Sequence, residues 1–101
     1  MMQEQRTKTA VDMRQLRKDA GKWLKAQRLT AGLSQMDISN ILGLKYYTFI
    51  SQVENGFGRV PSGSMGKWAH ALGIPPALFA RTLLGYYDPD LYRLLFDEEP
   101  S

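Results

Sequence analysis

Glycines at 32, 43 and 56 divide the middle of this chain into pieces of about ten residues, and LSQMDISNILGLKYYTFISQVENG, from Leu33 to Gly56, has to fold within those limits. A glycine that follows a helical pattern is a natural stop, because it adopts the left-handed conformation that closes a helix. Only short helices fit. Ser34 followed three residues later by Asp37 is a capping-box pattern, so a second helix is predicted to open at Ser34, to bury Ile38, Ile41 and Leu42, and to end at Gly43. Leu44 and Lys45 make a tight connection, and a third helix is predicted from about Tyr46 to Asn55, closed by Gly56.

The same 3-4 spacing of apolar residues runs through the rest of the chain, with no convincing period-two segment, no internal repeat and no low-complexity stretch. A first helix is expected to start after Thr9 or Asp12 and to reach about Thr30, burying Leu16, Ala20, Trp23 and Leu24, with Gly21 a point where it breaks or kinks. Residues 1–12 then read as a loose basic arm. Ser64 is placed to cap a fourth helix carrying Met65, Trp68, Ala69 and Leu72 up to Gly73, and Pro76 to start a fifth with Leu78, Phe79, Leu83 and Leu84. Asp88-Pro89-Asp90 opens a last short helix in which Leu91, Tyr92, Leu94, Leu95 and Phe96 leave only Arg93 clearly polar. Apolar on nearly every side, it predicts burial on more than one face, against its own core or, preferably, across a dimer contact. The expected fold is therefore all-α, about five helices plus a short C-terminal helix: a 13–87 domain, with a C-terminal helix and acidic tail over 88–101. A chain of 101 residues supports one such core and no separate cofactor domain.

Composition excludes several functions. There is no cysteine, so disulfides, thiolate metal sites and cysteine nucleophiles are absent together, and no apolar run approaches the ~18 residues of a membrane span. A cytoplasmic protein that neither crosses nor needs a membrane is the simplest expectation. The one histidine, His70, lies among core positions of the fourth helix with no carboxylate at ligand spacing, and GFGRVPSGS lacks both the Gly-Lys-Ser/Thr ending and the preceding strand of a phosphate loop. No enzymatic residue set, metal or cofactor is expected. Net charge is +3, but residues 1–30 hold eight Lys/Arg against three Asp/Glu, whereas residues 87–101 hold one against five, Asp97, Glu98 and Glu99 among them. A basic front suits a polyanionic partner such as nucleic acid, and it is equally the pattern of a solvated helix face.

The third helix is more informative. At 100° per residue Tyr46, Phe49, Ile50 and Val53 share one arc, a core-facing stripe, while Tyr47, Thr48, Ser51, Gln52 and Asn55 fall opposite. That outward face has hydrogen-bonding groups but no Lys or Arg. Gln presents a paired acceptor and donor to adenine, Thr and Ser can meet several bases, and Tyr47 can pack on a thymine methyl or reach a phosphate. An uncharged face used for packing on a partner protein is the alternative. Glu54 sits at the edge of the core stripe, where a carboxylate needs a partner.

Taken together, Leu33-Ser34-Gln35, Leu42-Gly43, Ile50-Ser51, Glu54-Asn55-Gly56 and Pro61 resemble, in register over some thirty residues, the helix-turn-helix of phage-repressor/Cro-type (Xre family) regulators. The resemblance extends less specifically from about Gly21 to Leu84. It implies a lambda-repressor-like DNA-binding domain whose third helix enters the major groove of double-stranded DNA, commonly as a homodimer on two half-sites. On that basis Tyr47, Thr48 and Gln52 meet bases, Gln35 contacts a phosphate, Asn55 and Arg59 touch the backbone, and Lys45, Tyr46 and Ser51 complete the surface. Arg28 pairs with Glu54 to lock the first helix to the third. One departure stands out: between Gly43 and Glu54 this chain has one residue more than the family pattern, which lengthens the turn and loosens the assignments at Lys45, Tyr46 and Tyr47. A transcriptional regulator, most simply a dimeric repressor, is the first functional expectation. An antitoxin-like or scaffold protein that grips another protein is the second.

Overall fold

The structure, a computed structural model, describes the backbone of residues 2–96 and the side chains of residues 13–96. Its longest element is α1 (Met2–Thr30), which begins well before the expected start after Thr9 or Asp12. The reason is compositional: from Met2 to Ala20 no Gly or Pro interrupts a run rich in Gln, Glu, Arg, Lys, Leu and Ala, all strong helix formers. What reads as a loose arm is, from Met2 on, the first turns of α1.

Five shorter helices follow: α2 (Gln35–Ile41), α3 (Thr48–Glu54), α4 (Met65–Leu72) after a 3₁₀ turn (Ser62–Ser64), α5 (Pro76–Tyr87) and α6 (Pro89–Phe96). Among the described residues the fold is all-α, with six helices and no strand. None of these helices is long and apolar enough to cross a membrane. α2 opens as its sequence predicts, the Ser34 hydroxyl accepting from the Asp37 N–H (2.9 Å) and the Asp37 carboxylate from the Ser34 N–H (2.8 Å). The Ser34 N–H donating to it, and to a lesser degree the Ser34 hydroxyl, hold the Asp37 carboxyl below its usual pKa. Asp88 caps α6 in the same manner, accepting from the Leu91 N–H at 3.2 Å.

α5 packs against α1, α4 and α6, because Phe79, Leu83 and Tyr87 repeat at four-residue spacing and are all buried. Ala20 and Leu24 of α1, Ile38 of α2, Ile50 and Val53 of α3, and Trp68, Ala69 and Leu72 of α4 complete one core with Val60. Trp23 tilts against Phe79 with ring centroids 5.7 Å apart. Tyr87 also reaches the loop after α3, its hydroxyl accepting from the Val60 N–H at 3.2 Å, and burial pushes that phenol's pKa up. The loop is thereby pinned to the scaffold.

Several expected core positions lie outside it. Ile41 is 52% exposed and Ser39 takes the inward place, its hydroxyl directed at the Leu44 carbonyl (3.4 Å), so the buried side of α2 is rotated from the Ile38, Ile41, Leu42 stripe. Leu78 points outward from α5. Ser64 does not cap α4, because the preceding 3₁₀ turn engages it: its N–H and its hydroxyl both donate to the Pro61 carbonyl. α6, expected to be buried against this core or across a dimer contact, has no buried residue within the single chain. It leans on α5 through Tyr92, with the Arg81 guanidinium 4.4 Å from the Phe96 ring centroid, and leaves Leu91, Leu94 and Leu95 open. The acidic end at Asp97, Glu98 and Glu99 lies outside the described residues.

Candidate functional site

The outward surface of α3 depends on how its inward side is locked. Arg28, in the last turn of α1, meets Glu54 through two parallel contacts, Nε to Oε2 at 2.6 Å and Nη2 to Oε1 at 3.0 Å, with side chains 8% and 3% exposed. Two further hydrogen bonds surround the pair. Arg28 Nη1 donates to the Leu33 carbonyl (2.9 Å), and Gln35 Nε2 donates to Glu54 Oε1 (3.0 Å). One guanidinium thus ties together the end of α1, the entry to α2 and the last turn of α3, in the bidentate geometry that makes Arg–carboxylate pairs strong. Gln35, expected on a phosphate, spends an amide proton inside this lock.

Gly21 allows the lock to close. A Cβ there would stand 2.2 Å from the Glu54 carbonyl oxygen and 2.8 Å from that of Val53, so α1 and α3 touch backbone to backbone at this point. The residue that reads as a kink site is a close-approach site inside a continuous helix. α3 ends with a Schellman arrangement: Phe57 N–H donates to the Gln52 carbonyl (2.9 Å) and Gly56 N–H to that of Val53 (3.2 Å), with Gly56 at φ 84°. The chain leaves the helix in one defined direction.

With α3 held in this way, Ile50 and Val53 face the core, while Thr48, Gln52 and Asn55 are exposed and Ser51 is half-buried. Asn55 Nδ2 lies 3.4 Å from Ser51 Oγ. The outward face therefore carries amides and hydroxyls and no charge. α3 begins at Thr48, two residues later than expected, with Tyr47 as an N-cap that makes no side-chain capping bond; the connection from α2 occupies residues 42–47. Lys45 and Tyr46 sit on this connection rather than on the helix, the ammonium 5.6 Å from the ring centroid. Tyr46 is 64% exposed, not part of the core stripe, and Tyr47, in the N-cap position, is also exposed. The turn presents two tyrosines beside the polar face.

At the other end of α3 lies a cleft of about 580 Å³, lined by Met13, Arg14, Arg17 and Lys18 of α1 and by Asn55, Gly56 and Phe57. Arg59, in the loop after α3, is exposed, its guanidinium 4.6 Å from the Tyr87 ring centroid. Sequence patterns at 33–56 do not point to Arg14, Arg17 and Lys18; their only signals are the basic count over residues 1–30 and a glycine on the same helix as a marker of close approach. No three His, Cys, Asp or Glu side chains gather as a metal site among the described residues. What the surface offers is hydrogen bonding from α3, aromatic contact from the turn and positive charge beyond both ends. Comparison with protein-family models and with curated proteins finds no match to this chain.

Proposed function

We propose that this chain is a sequence-specific reader of double-stranded DNA, a transcriptional regulator of the phage-repressor/Cro (Xre) type acting as a dimeric repressor, with α3 in the major groove. The observation that carries this reading is the division of α3 into a locked inner side, Ile50, Val53 and the Arg28-paired Glu54, and an outer side of Thr48, Ser51, Gln52 and Asn55. A solvated helix face is ordinarily built from Lys and Glu. Uncharged amides and hydroxyls held on a rigid element are what base edges require, since each base pair displays a fixed donor and acceptor pattern in the major groove. Thr48 and Gln52 are the assigned base contacts, joined by Tyr47 from the turn. Lys45 and Arg59 flank the face and are suited to phosphates, which set position and most of the affinity. Gln35, with its amide nitrogen engaged by Glu54, retains a carbonyl oxygen and serves chiefly to hold α2 against α3.

The test is selection from a random duplex library, followed by rebinding of the recovered sites across a salt series. The expected result is one enriched sequence repeated about 10 bp apart, with affinity falling steeply as salt rises. Absence of any enriched sequence ends the reading. The second reading, that the fold grips a partner protein, is favoured by the uncovered apolar residues of α6, and in that case α6 variants rather than α3 variants abolish binding.

A further inference from the structure

We infer that the cleft between the middle of α1 and the exit from α3 is a second phosphate site, one that grips the DNA backbone beyond the segment α3 reads. The inference rests on the DNA-reading function proposed above and adds to it the residues Arg14, Arg17 and Lys18, which no motif in the chain assigns.

Geometry places the cleft where a phosphate would be. α3 has seven residues and is therefore ~10 Å long, so in a groove ~12 Å wide the residues just past its ends lie within side-chain reach of the phosphates on the groove walls. The cleft opens directly at the C-terminal end, and Asn55 belongs both to the exposed face of α3 and to the cleft lining.

Charge then decides what it holds. The C-terminal end of a helix carries a partial charge of roughly −0.5, which by itself repels phosphate. Three full positive charges on α1, Arg14, Arg17 and Lys18, line the cleft beside that end, and none of the three has a carboxylate within salt-bridge distance among the described residues. Arg17 lines the cleft, and its enclosed Nε has no hydrogen-bond acceptor, although guanidinium donors that are buried are ordinarily paired. An anion entering the cleft supplies the missing countercharge. Phe57, 81% exposed at the rim, and Met13 provide apolar contact of the kind a deoxyribose needs beside its phosphate. The site exists because Gly21 lets α1 pass against α3 and because α1 continues as helix for several turns before that crossing.

The test uses the full chain and a DNA site enriched by the wild type. Arg14→Ala with Lys18→Ala removes two exposed helix positions at no cost to the core; Lys25→Ala with Lys67→Ala removes the same charge elsewhere and serves as control. The double cleft variant is expected to bind about tenfold or more weakly near 0.1 M salt and to flatten the slope of log affinity against log salt by about 0.9 for each phosphate it no longer neutralises. It should select the same bases as the wild type, and phosphate-ethylation interference should vanish at a backbone position just outside the enriched sequence. The control should retain that interference. Wild-type slope and interference in the cleft variant overturn this inference while leaving the reading by α3 intact. A changed base preference also overturns it, because the cleft would then be reading sequence. If the wild type enriches no DNA at all, the inference falls together with the proposed function.

Discussion

α3 and α6 are helices of similar length, seven and eight residues, and each shows solvent one long side, yet the two sides are chemically opposite. α3 buries Ile50 and Val53 and displays amides and hydroxyls; α6 buries nothing and displays Leu91, Leu94 and Leu95. The difference is in what each helix does with its apolar residues. α3 has consumed them internally, so whatever it meets must be recognised by directed hydrogen bonds, which discriminate sharply because an unmatched buried polar group costs about 1–3 kcal/mol. α6 has kept them outward, where contact is non-directional and scales with the area covered. One helix is suited to choosing among similar partners, the other to holding onto a surface.

The largest expected effect comes from breaking what makes α3 rigid. Arg28→Ala leaves Glu54 charged and buried, and a loss of about 3–5 kcal/mol is expected from urea unfolding, a large share of the 5–15 kcal/mol typical of a domain this size. Replacing the pair together, Arg28→Met with Glu54→Leu, should recover most of that loss, since no charge is then stranded. Unfolding curves for Arg28→Ala that overlay the wild type would show that α3 is held by its apolar side alone, and the contrast with α6 would weaken accordingly. Next in size is Gln52→Ala, expected to reduce discrimination at a single base pair by about 1–3 kcal/mol while leaving stability and the other base preferences in place. Unchanged selectivity there with full affinity would remove Gln52 from the reading surface.

How far these features can be read in the chain depends on the range over which each is determined. The Ser34 and Asp37 cap and the stops at Gly43 and Gly56 are set within four or five residues, and they are legible without a structure. Glu54 is legible for a different reason: a carboxylate on the edge of an apolar stripe demands a partner, and the family resemblance supplies Arg28. Positions set by tertiary contact are less legible. α2 is too short for periodicity to decide between Ile41 and Ser39 as its inward residue, so the packing of its neighbours decides. Tyr46 reads as core only if α3 starts there, and the actual N-cap, Tyr47, makes no capping bond that would mark the later start. Arg14 and Asn55 are about forty residues apart, and they line one cleft only because Gly21 brings the backbones of α1 and α3 together.

A smaller effect tests how much of the α3 surface depends on the helix before it. Ser34→Ala removes a cap and is expected to cost about 1 kcal/mol of stability. Its partner gives the pH dependence. Asp37 has a lowered pKa in the folded chain, so its contribution is fully present above the unfolded carboxylate value of about 3.9 and is lost as pH falls through the lower folded value. Asp37→Asn should therefore flatten part of the acid limb of the stability profile below about pH 4 and alter nothing between pH 6 and 8 beyond a constant offset. A steeper acid limb in that variant would contradict the sign.

The smallest effect on the folded monomer is expected at α6, and its smallness is informative. Leu94 is 81% exposed, so Leu94→Lys should change unfolding free energy by no more than about 0.5 kcal/mol, as surface substitutions do. Its effect on association should be far larger. A stable protein interface takes about 800 Å² from each partner, more than the exposed side of one eight-residue helix supplies, so self-association through α6 should be weak, concentration-dependent, and reinforced when two half-sites on one duplex hold two copies side by side. Sedimentation velocity with and without such a duplex is expected to show two copies per site for the wild type and successive independent binding for Leu94→Lys. Two copies bound with equal cooperativity in both proteins would mean that α6 is not what joins them, and its apolar side would then be the place to seek a different protein partner.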